Sequence, residues 1–499
     1  MKWRELWMRA IPVVILLAIT WLKAAFEFKQ ITDSDPGLFE AFGYHILQGK
    51  ILYADFWDHK PPLVFFLNFL FLKIFGISED AISLGSMLLC MTQTLVFYAI
   101  LLRIFRNKWI SVLACTLFII TFFNGAVFGS GNYTEQYGVL CTTAGFYYLL
   151  GFIENKNIRY LWISGVLYGL SCWFKEPFLF SAIPIFIYLF IRGVAIKYNF
   201  HYFIKFGLAF LIPALLISNF LALTGSWDGF KEHLVHSSNY LIYQQKTGWY
   251  FRMRFNIDGF IGMLPFSRYV FIPVYLCGIT LLIMKEKTRI PGILILGTQI
   301  ADYVATGMSG NQFFHYYLQS LPLTCIVLLA APVFLGELLF KEKKWVKFIP
   351  MGIAFVLVSL SEKPWNKMTF DFTKKANDPI VEFLKNNEYY RPRSIVLGSK
   401  EIGFYLLRAE GISNQRYIVP YPYHWTPMKG KPRYYRMSKD SANFMDDLPE
   451  YVIHSDKWAE MFRDCGLDSL VRLHYNEVAS AEIKPGVTSH LLKKKIPVE

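Results

Sequence analysis

Charge is what this chain has least of. Asp, Glu, Lys and Arg make up 18% of its 499 residues, while hydrophobic types make up 54%. Soluble domains carry roughly 25% charged residues, so the composition excludes an ordinary soluble enzyme. Acidic residues are the scarcer sign, 37 against 51 basic, which leaves a formal net charge of +14. The basic residues fall in short clusters between apolar runs. That is a topology signal, and it argues against nucleic acid as a partner. Cysteine is sparse and poorly placed for bridges. Six of the seven (Cys90, Cys115, Cys141, Cys172, Cys277, Cys325) lie in apolar runs and only Cys465 lies in a polar one, so no disulfide framework is legible. A P-loop, a GxGxxG opening a helix, HExxH, GxSxG and Cys/His zinc spacings are also missing. ATP drive, dinucleotide chemistry and metalloprotease chemistry therefore have no support in the sequence. Repeats and low-complexity segments are absent as well.

What is present is a series of apolar runs near the roughly 20 residues that a bilayer span needs, with a mean hydropathy of +0.33. Lys2, Arg4 and Arg9 precede the first run, residues 11–25, and no small-residue cleavage site follows it. It reads as a retained first helix, 10–26, that leaves the cytoplasm. The run 63–75 is short for a span. If it crossed, Arg103, Arg106 and Lys108 would fall outside. As an interfacial helix it lets the next helix, 81–102, deliver them to the cytoplasm. Every later basic cluster then falls inside too, with further spans at 109–123, 134–153, 160–174, 178–191, 203–223, 259–284, 290–307, 314–337 and 348–360. The expectation is an α-helical polytopic membrane protein of about eleven transmembrane helices over residues 1–360. Its outer loops are 27–80, 124–133 and 224–258. From about residue 361 the chain turns polar, with β-prone runs at 394–397, 417–419, 451–453 and 470–473 and helical stretches at 400–408 and 457–464. This predicts a small extracytoplasmic α/β domain over 361–499.

The few charged groups gather at outer ends. The first outer loop holds Asp33, Asp35, Glu40, Asp55, Asp58, His59 and Lys60 between apolar segments, and charge beside a hydrophobic run is a mark of function in a membrane protein. Residues 36–48 have apolar side chains at helical spacing, with Asp35 as the expected N-cap, Pro36 at the first helical position and Gly49 as the stop. Asp33 and Asp35 suit a general base at the membrane surface; capping and solvation are the structural alternatives. Lys60, held extended by Pro61 and Pro62, suits a phosphate, or else snorkels at the interface. Glu135 opens an outer helix, where the helix dipole alone would favour it. Arg252 and Arg254 in the outer loop 224–258 run against the topology bias and point to an anion. His315 starts an inward segment beside Asn311 and Gln312.

An acidic residue after the first helix, Gly49-x-x-x-Tyr53, Lys60-Pro61-Pro62-Leu63 and an apolar stretch ending in Phe75-Gly76 form a recognisable set. With them go Glu135 in the next outer loop, Gly169 to Pro177 with Lys175, and His315-Tyr316-Tyr317 followed by Pro322. Over about residues 10–340 the chain resembles the GT-C glycosyltransferases. Within them it is most similar to the branch of the protein O-mannosyltransferases and the lipid A aminoarabinose transferase. That branch carries an Asp-Glu pair at the base position. Here Asp35 stands at the matching distance from Gly49 and Pro36 replaces the glutamate, so Asp33 stays an alternative to Asp35. The resemblance implies a polyprenyl-phosphate-linked sugar as donor, a lipid, glycan or protein acceptor, inverting transfer to a hydroxyl, and no obligatory metal or other cofactor. It implies Asp35 as base, Asp33 and Glu135 as supports, and Lys60, Arg254, His315 and Lys175 near the donor phosphate. The expected location is the cytoplasmic membrane, with the site facing outward. A transporter or flippase of a lipid-linked anion is the rival, but it needs ionisable groups at mid-membrane, and few are legible in the spans. A plain membrane anchor for the outer tail leaves the charged first loop unexplained.

Overall fold

A computed structural model describes residues 2–27, 34–129, 131–195, 200–244, 248–263, 268–308, 313–339, 352, 379–386, 395–397, 448–456, 467–484 and 487–495. Helices dominate them. In order they are α1 (Lys2–Glu27), α2 (Ser34–Leu47), α3 (Leu63–Phe75), α4 (Glu79–Phe105), α5 (Lys108–Phe122), α6 (Gly125–Phe128), α7 (Thr134–Asn155), α8 (Ile158–Ser171) and α9 (Phe178–Ala195). There follow α10 (Phe200–Leu223), α11 (Trp227–Gln244), α12 (Trp249–Met263), α13 (Arg268–Met284), α14 (Arg289–Met308), a 3-10 segment Phe314–Gln319, α15 (Leu321–Leu339), α16 (Pro379–Asn386) and α17 (Leu467–His474).

Local chemistry sets the boundaries. Pro62 precedes α3 and Gly76, at φ +100°, ends it. Asn107 caps α5 by accepting from the Trp109 and Ile110 N–H groups at 3.1 and 3.2 Å, and Asn157 caps α8 by accepting from Arg159 N–H at 3.0 Å. α2 ends in a Schellman turn. Gly49 lies at φ +84°, Lys50 N–H donates to the His45 carbonyl and Gly49 N–H to that of Ile46, both at 3.0 Å.

Among the described residues, α4, α9, α10 and α15 are each long and apolar enough to cross a bilayer, and α13 with α14, bent by 101° at the break, adds a fifth candidate. α1, α3 and α5 carry shorter apolar stretches. A helix overlaps each expected span from 10–26 to 314–337; the span expected at 348–360 lies outside the described residues.

Several expectations change. Helix α2 begins at Ser34, which puts Asp35 in its first turn rather than at the cap. Pro36 is tolerated there because no first-turn N–H has an intrahelical partner. The expected loop 224–258 is α11 and most of α12. The run 470–473 is part of helix α17, not a strand. Leu467, Leu470, Val471 and His474 repeat at helical spacing, and that period outweighs the local β preference. The stretches 400–408, 417–419 and 457–464 lie outside the described residues.

The chain forms two compact units. One comprises residues 1–29, 86–217 and 247–369. Its core is a continuous apolar cluster in which Phe97 stacks on Phe118 with centroids 3.9 Å apart. The other comprises residues 30–85, 218–246 and 370–499. There α2 lies on α3 through Phe39, Phe42 and Phe65, with ring centroids 5.2 to 5.7 Å apart. Gly43 allows the approach, because a Cβ would come within 2.7 Å of Asn68 Cβ and Phe69 N. On its other side α3 exposes Leu70 and Ile74, as an interfacial helix does. This unit also holds a four-stranded sheet of β1 (Ile395–Leu397), β2 (Tyr451–Ser455), β3 (Tyr475–Lys484) and β4 (Val487–Lys494) in the order β1-β2-β4-β3. β1 and β2 run parallel, while β4 pairs antiparallel with both β2 and β3.

Candidate active site

Two groups of ionisable side chains stand out, one in each unit. The first is built by the loop between α2 and α3. Asp55 Oδ2 accepts from Ile51 N–H at 2.7 Å, and Tyr53, at φ +67°, donates its hydroxyl to the Lys60 carbonyl at 2.5 Å. Asp58 Oδ1 accepts from Lys60 N–H at 2.8 Å, an Asx turn that fixes the backbone just before Pro61 and Pro62. Trp57, 1% exposed, donates Nε1–H to the Gly229 carbonyl of α11 at 2.9 Å. The loop is thus anchored at both ends and stitched down its middle.

That frame places Lys60 Nζ 3.4 Å from Asp35 Oδ2, with the two side chains 15% and 19% exposed. The ammonium and the carboxylate form an ion pair, while the residual exposure leaves both in reach of a ligand. Asp58 sits behind them, 2% exposed. Burial pushes its carboxyl up to about 6, with Lys60 pulling it down and Asp35 adding to the rise. Asp33 lies outside the described residues.

The second group forms around Glu135, in the first turn of α7 and 2% exposed. Asn132 N–H donates to Gln136 Oε1 at 2.9 Å, and Asn132 Oδ1 accepts from Tyr137 Oη at 2.8 Å, which pins the helix start. Thr134 Oγ1 donates to Glu135 Oε2 at 2.8 Å, and Lys175 Nζ binds the other oxygen, Oε1. Lys175 lies in the turn between α8 and α9. His315 Nε2 stands 3.8 Å from the same Oε1, with its ring stacked on Tyr133 at 4.4 Å. Lys175 Nζ also sits 3.6 Å over the Tyr316 ring, a cation–π contact. Rather than opening an inward α-helix, His315 rides on the 3-10 segment that precedes α15.

The structure therefore brings Asp35 to Lys60, and Lys175 and His315 to Glu135. Among the described residues it does not bring Arg254 to the Glu135 group. Arg254 is exposed on α12 and pairs with Asp258 at 3.9 Å. Arg252 donates instead to the Met308 carbonyl at 2.8 Å. Among the described residues no set of three or more His, Cys, Asp or Glu side chains is placed to hold a metal ion. Asp58, Tyr133 and Tyr316 were not singled out by the sequence as site residues. Tyr316 had a signal in the His315-Tyr316-Tyr317 run, and Asp58 one in its place two residues before Lys60.

Comparison with known proteins finds similarity in sequence and in fold. Residues 59–218 match the dolichyl-phosphate-mannose-protein mannosyltransferase family, a segment that holds Lys60, Glu135 and Lys175. A protein of Aquifex aeolicus described as uncharacterised is 26% identical over 347 residues, 66% of this chain and 70% of that protein. The fold is similar to the crystal structure of ArnT from Cupriavidus metallidurans bound to undecaprenyl phosphate. The TM-score is 0.59 at 12% identity, over 97% of this chain and 98% of that one. The apo state of the same protein gives a TM-score of 0.57 at 11% identity, over 98% of each chain. A sequence match over residues 59–218 and a fold match along nearly the whole chain point the same way as the motifs above: the chain is similar to the GT-C glycosyltransferases, and its fold is like that of ArnT.

Proposed function

We propose that the protein is a membrane glycosyltransferase that moves a sugar from a polyprenyl-phosphate donor to an acceptor hydroxyl, with inversion, at the outer face of the cytoplasmic membrane. The observation that carries this reading is the Asp35–Lys60 pair at 3.4 Å, partly exposed at the start of α2. It sets a carboxylate that can take a proton beside an ammonium that can hold a phosphate. In the reaction the acceptor oxygen attacks the anomeric carbon and its proton passes to Asp35. The bond from the anomeric carbon to the phosphate oxygen breaks, and the electron pair leaves with the polyprenyl phosphate. Lys60 stabilises the charge that develops on that phosphate. Lys175 and His315, gathered on Glu135, are the further phosphate-binding side chains in this reading, and Glu135 holds them in place. Arg254, exposed and paired with Asp258, is kept near the phosphate in this reading by the sequence resemblance alone. The division into a membrane part, 1–360, and an outer domain, 361–499, belongs to the same proposal. So does undecaprenyl phosphate as the carrier, supported by the similarity in fold to a protein crystallised with that lipid.

Transfer of labelled sugar from a polyprenyl-phosphate sugar by the purified protein is the test. Mass spectrometry of surface glycolipids and glycans with and without the gene selects the sugar and the acceptor. Asp35→Asn keeps the size of the side chain and removes the base, so transfer should fall by about 10²–10⁴-fold while undecaprenyl phosphate still binds. Asp33→Asn should be milder. The reverse order would move the base to Asp33, and near-normal turnover in both would end the proposal.

A further inference from the structure

Asp302 is the one acid of helix α14, 1% exposed. Its Oδ1 accepts from Ser181 Oγ of α9 at 2.5 Å and from Gln319 Nε2 at 2.8 Å. Gln319, 4% exposed, ends the 3-10 segment that carries His315 and Tyr316. The same Gln319 amide also lies 3.2 Å from the Pro177 carbonyl, two residues past Lys175, and 3.2 Å from Ser181 Oγ. One side chain thus holds both the segment that bears His315 and the turn that bears Lys175. One carboxyl group holds that side chain and the first turns of α9. The 3-10 segment has six residues, whereas runs beyond 3–4 residues are uncommon because their hydrogen bonds are poor. A segment of that length needs support from outside itself. A buried acid in a membrane helix is likewise expensive and calls for a role.

We infer that Asp302 is a positioning residue: through Gln319 it clasps the His315 segment to the Lys175 turn and so sets the geometry of both side chains around Glu135. The role deepens the glycosyltransferase reading and rests on it for its purpose, but the clasp itself is a statement about structure. Asp302 touches none of the reacting groups. It needs only an acceptor oxygen at Oδ1, which asparagine supplies and leucine does not.

The test has two arms on the full-length protein in detergent. Hydrogen exchange reads the clasp without reference to any substrate. Asp302→Leu and Gln319→Leu should both raise exchange in residues 313–319 and 174–178 while α4 and α5 keep wild-type protection. Asp302→Asn should match the wild type. Binding of undecaprenyl phosphate reads the purpose. Both leucine variants should bind it at least about tenfold more weakly, the loss expected when one or two such hydrogen bonds go, and Asp302→Asn should restore it. Unchanged exchange at both segments, or loosening spread evenly over the helices, overturns the clasp. So does failure of asparagine to rescue. If Asp302→Leu does not fold, Gln319→Leu leaves the Asp302–Ser181 bond in place and carries the same test. If the variants show the exchange pattern but the wild type binds no undecaprenyl phosphate, the clasp stands and the result counts against the carrier instead.

Discussion

Single residues in the first loop carry opposed demands, and Asp58 shows them most clearly. Its Oδ1 shapes the Lys60 turn, which asks for an acceptor, while its burial penalises a charge. In the unfolded chain it titrates near its ordinary 3.8, and in the folded chain near 6. Between those values the folded chain keeps a proton that the unfolded chain has lost. Stability therefore falls as pH rises through that window and is level above it. The full difference is about 3 kcal/mol at 1.36 kcal/mol per unit. Asp58→Asn keeps the acceptor and removes the charge. Its melting temperature should equal the wild type's near pH 4, exceed it increasingly up to about pH 6, and stay higher by a constant amount beyond. A gap that does not change with pH would mean that the charge is not the cost. At this scale the sequence was legible where chemistry is local. Asp35, Lys60 and Glu135 stood out as rare charges at outer helix ends, and the structure puts each beside a partner of opposite sign. Asp302, a lone acid in the run 292–307, was not picked out from the sequence. Its partners Ser181 and Gln319 lie 121 and 17 residues away, and no local pattern announces them.

At the scale of elements, helix packing decides how the Glu135 group is assembled. α9 approaches the start of α7 at Gly138, where an added Cβ would meet the Phe178 ring at 2.1 Å. Phe178 is fully buried, so its ring has no free space to turn into. Gly138→Ala should force the first turn of α9 away from α7, and with it the turn that delivers Lys175 to Glu135. Overpacking of this kind costs about 1–3 kcal/mol, readable as a lower melting temperature. It should also weaken undecaprenyl phosphate binding, because Lys175 moves. A stable variant with normal binding would show that α9 is not what places Lys175. Elements were legible where apolar runs have clear stops: α3 falls between Pro62 and Gly76, as read from the sequence. They were not legible where helices are polar. α11 holds Asp228, Lys231, Glu232 and His233 within two turns, so it resembles a loop until Trp57 and Tyr53 are seen packed on it. The β3–β4 hairpin escaped for a related reason. Its residues Glu477, Glu482, Lys484, Lys493 and Lys494 dilute the strand signal, and long-range pairing restores it.

For the whole molecule the question is which way the chain faces, and the unit built on residues 86–217 answers from its own asymmetry. α7 has 22 residues, which at 1.5 Å each is about 33 Å, close to the roughly 30 Å of a hydrocarbon core. At its first turn sits Glu135, neutralised by Lys175. At its far end, Lys156 adopts a left-handed conformation as the C-cap. α9 repeats the pattern: it starts three residues after Lys175, and Arg192 falls in its last turn. Among the described residues neither Lys156 nor Arg192 has a carboxylate partner, and Arg192 adds to the burial that lowers the lysine's pKa. The far end also holds the Arg103–Glu154 ion pair, but beyond that pair Lys156 and Arg192 leave it with an excess of positive charge, whereas at the other end Lys175 is balanced by Glu135. Basic residues stay on the cytoplasmic side because moving them across is unfavourable, which predicts that the Glu135 end lies outside. The N-terminus should then be inside, with the loop 27–80 and the tail after residue 361 outside. Single cysteines in a protein freed of its native seven test this with a membrane-impermeant maleimide on intact cells. Ser34→Cys and Ser441→Cys should both label. Asn155→Cys, exposed beside Lys156, should label only after the membrane is opened. Labelling of Asn155→Cys in intact cells would invert the topology. It would then place the Glu135 group at the inner face, where a donor presented outside could not reach it.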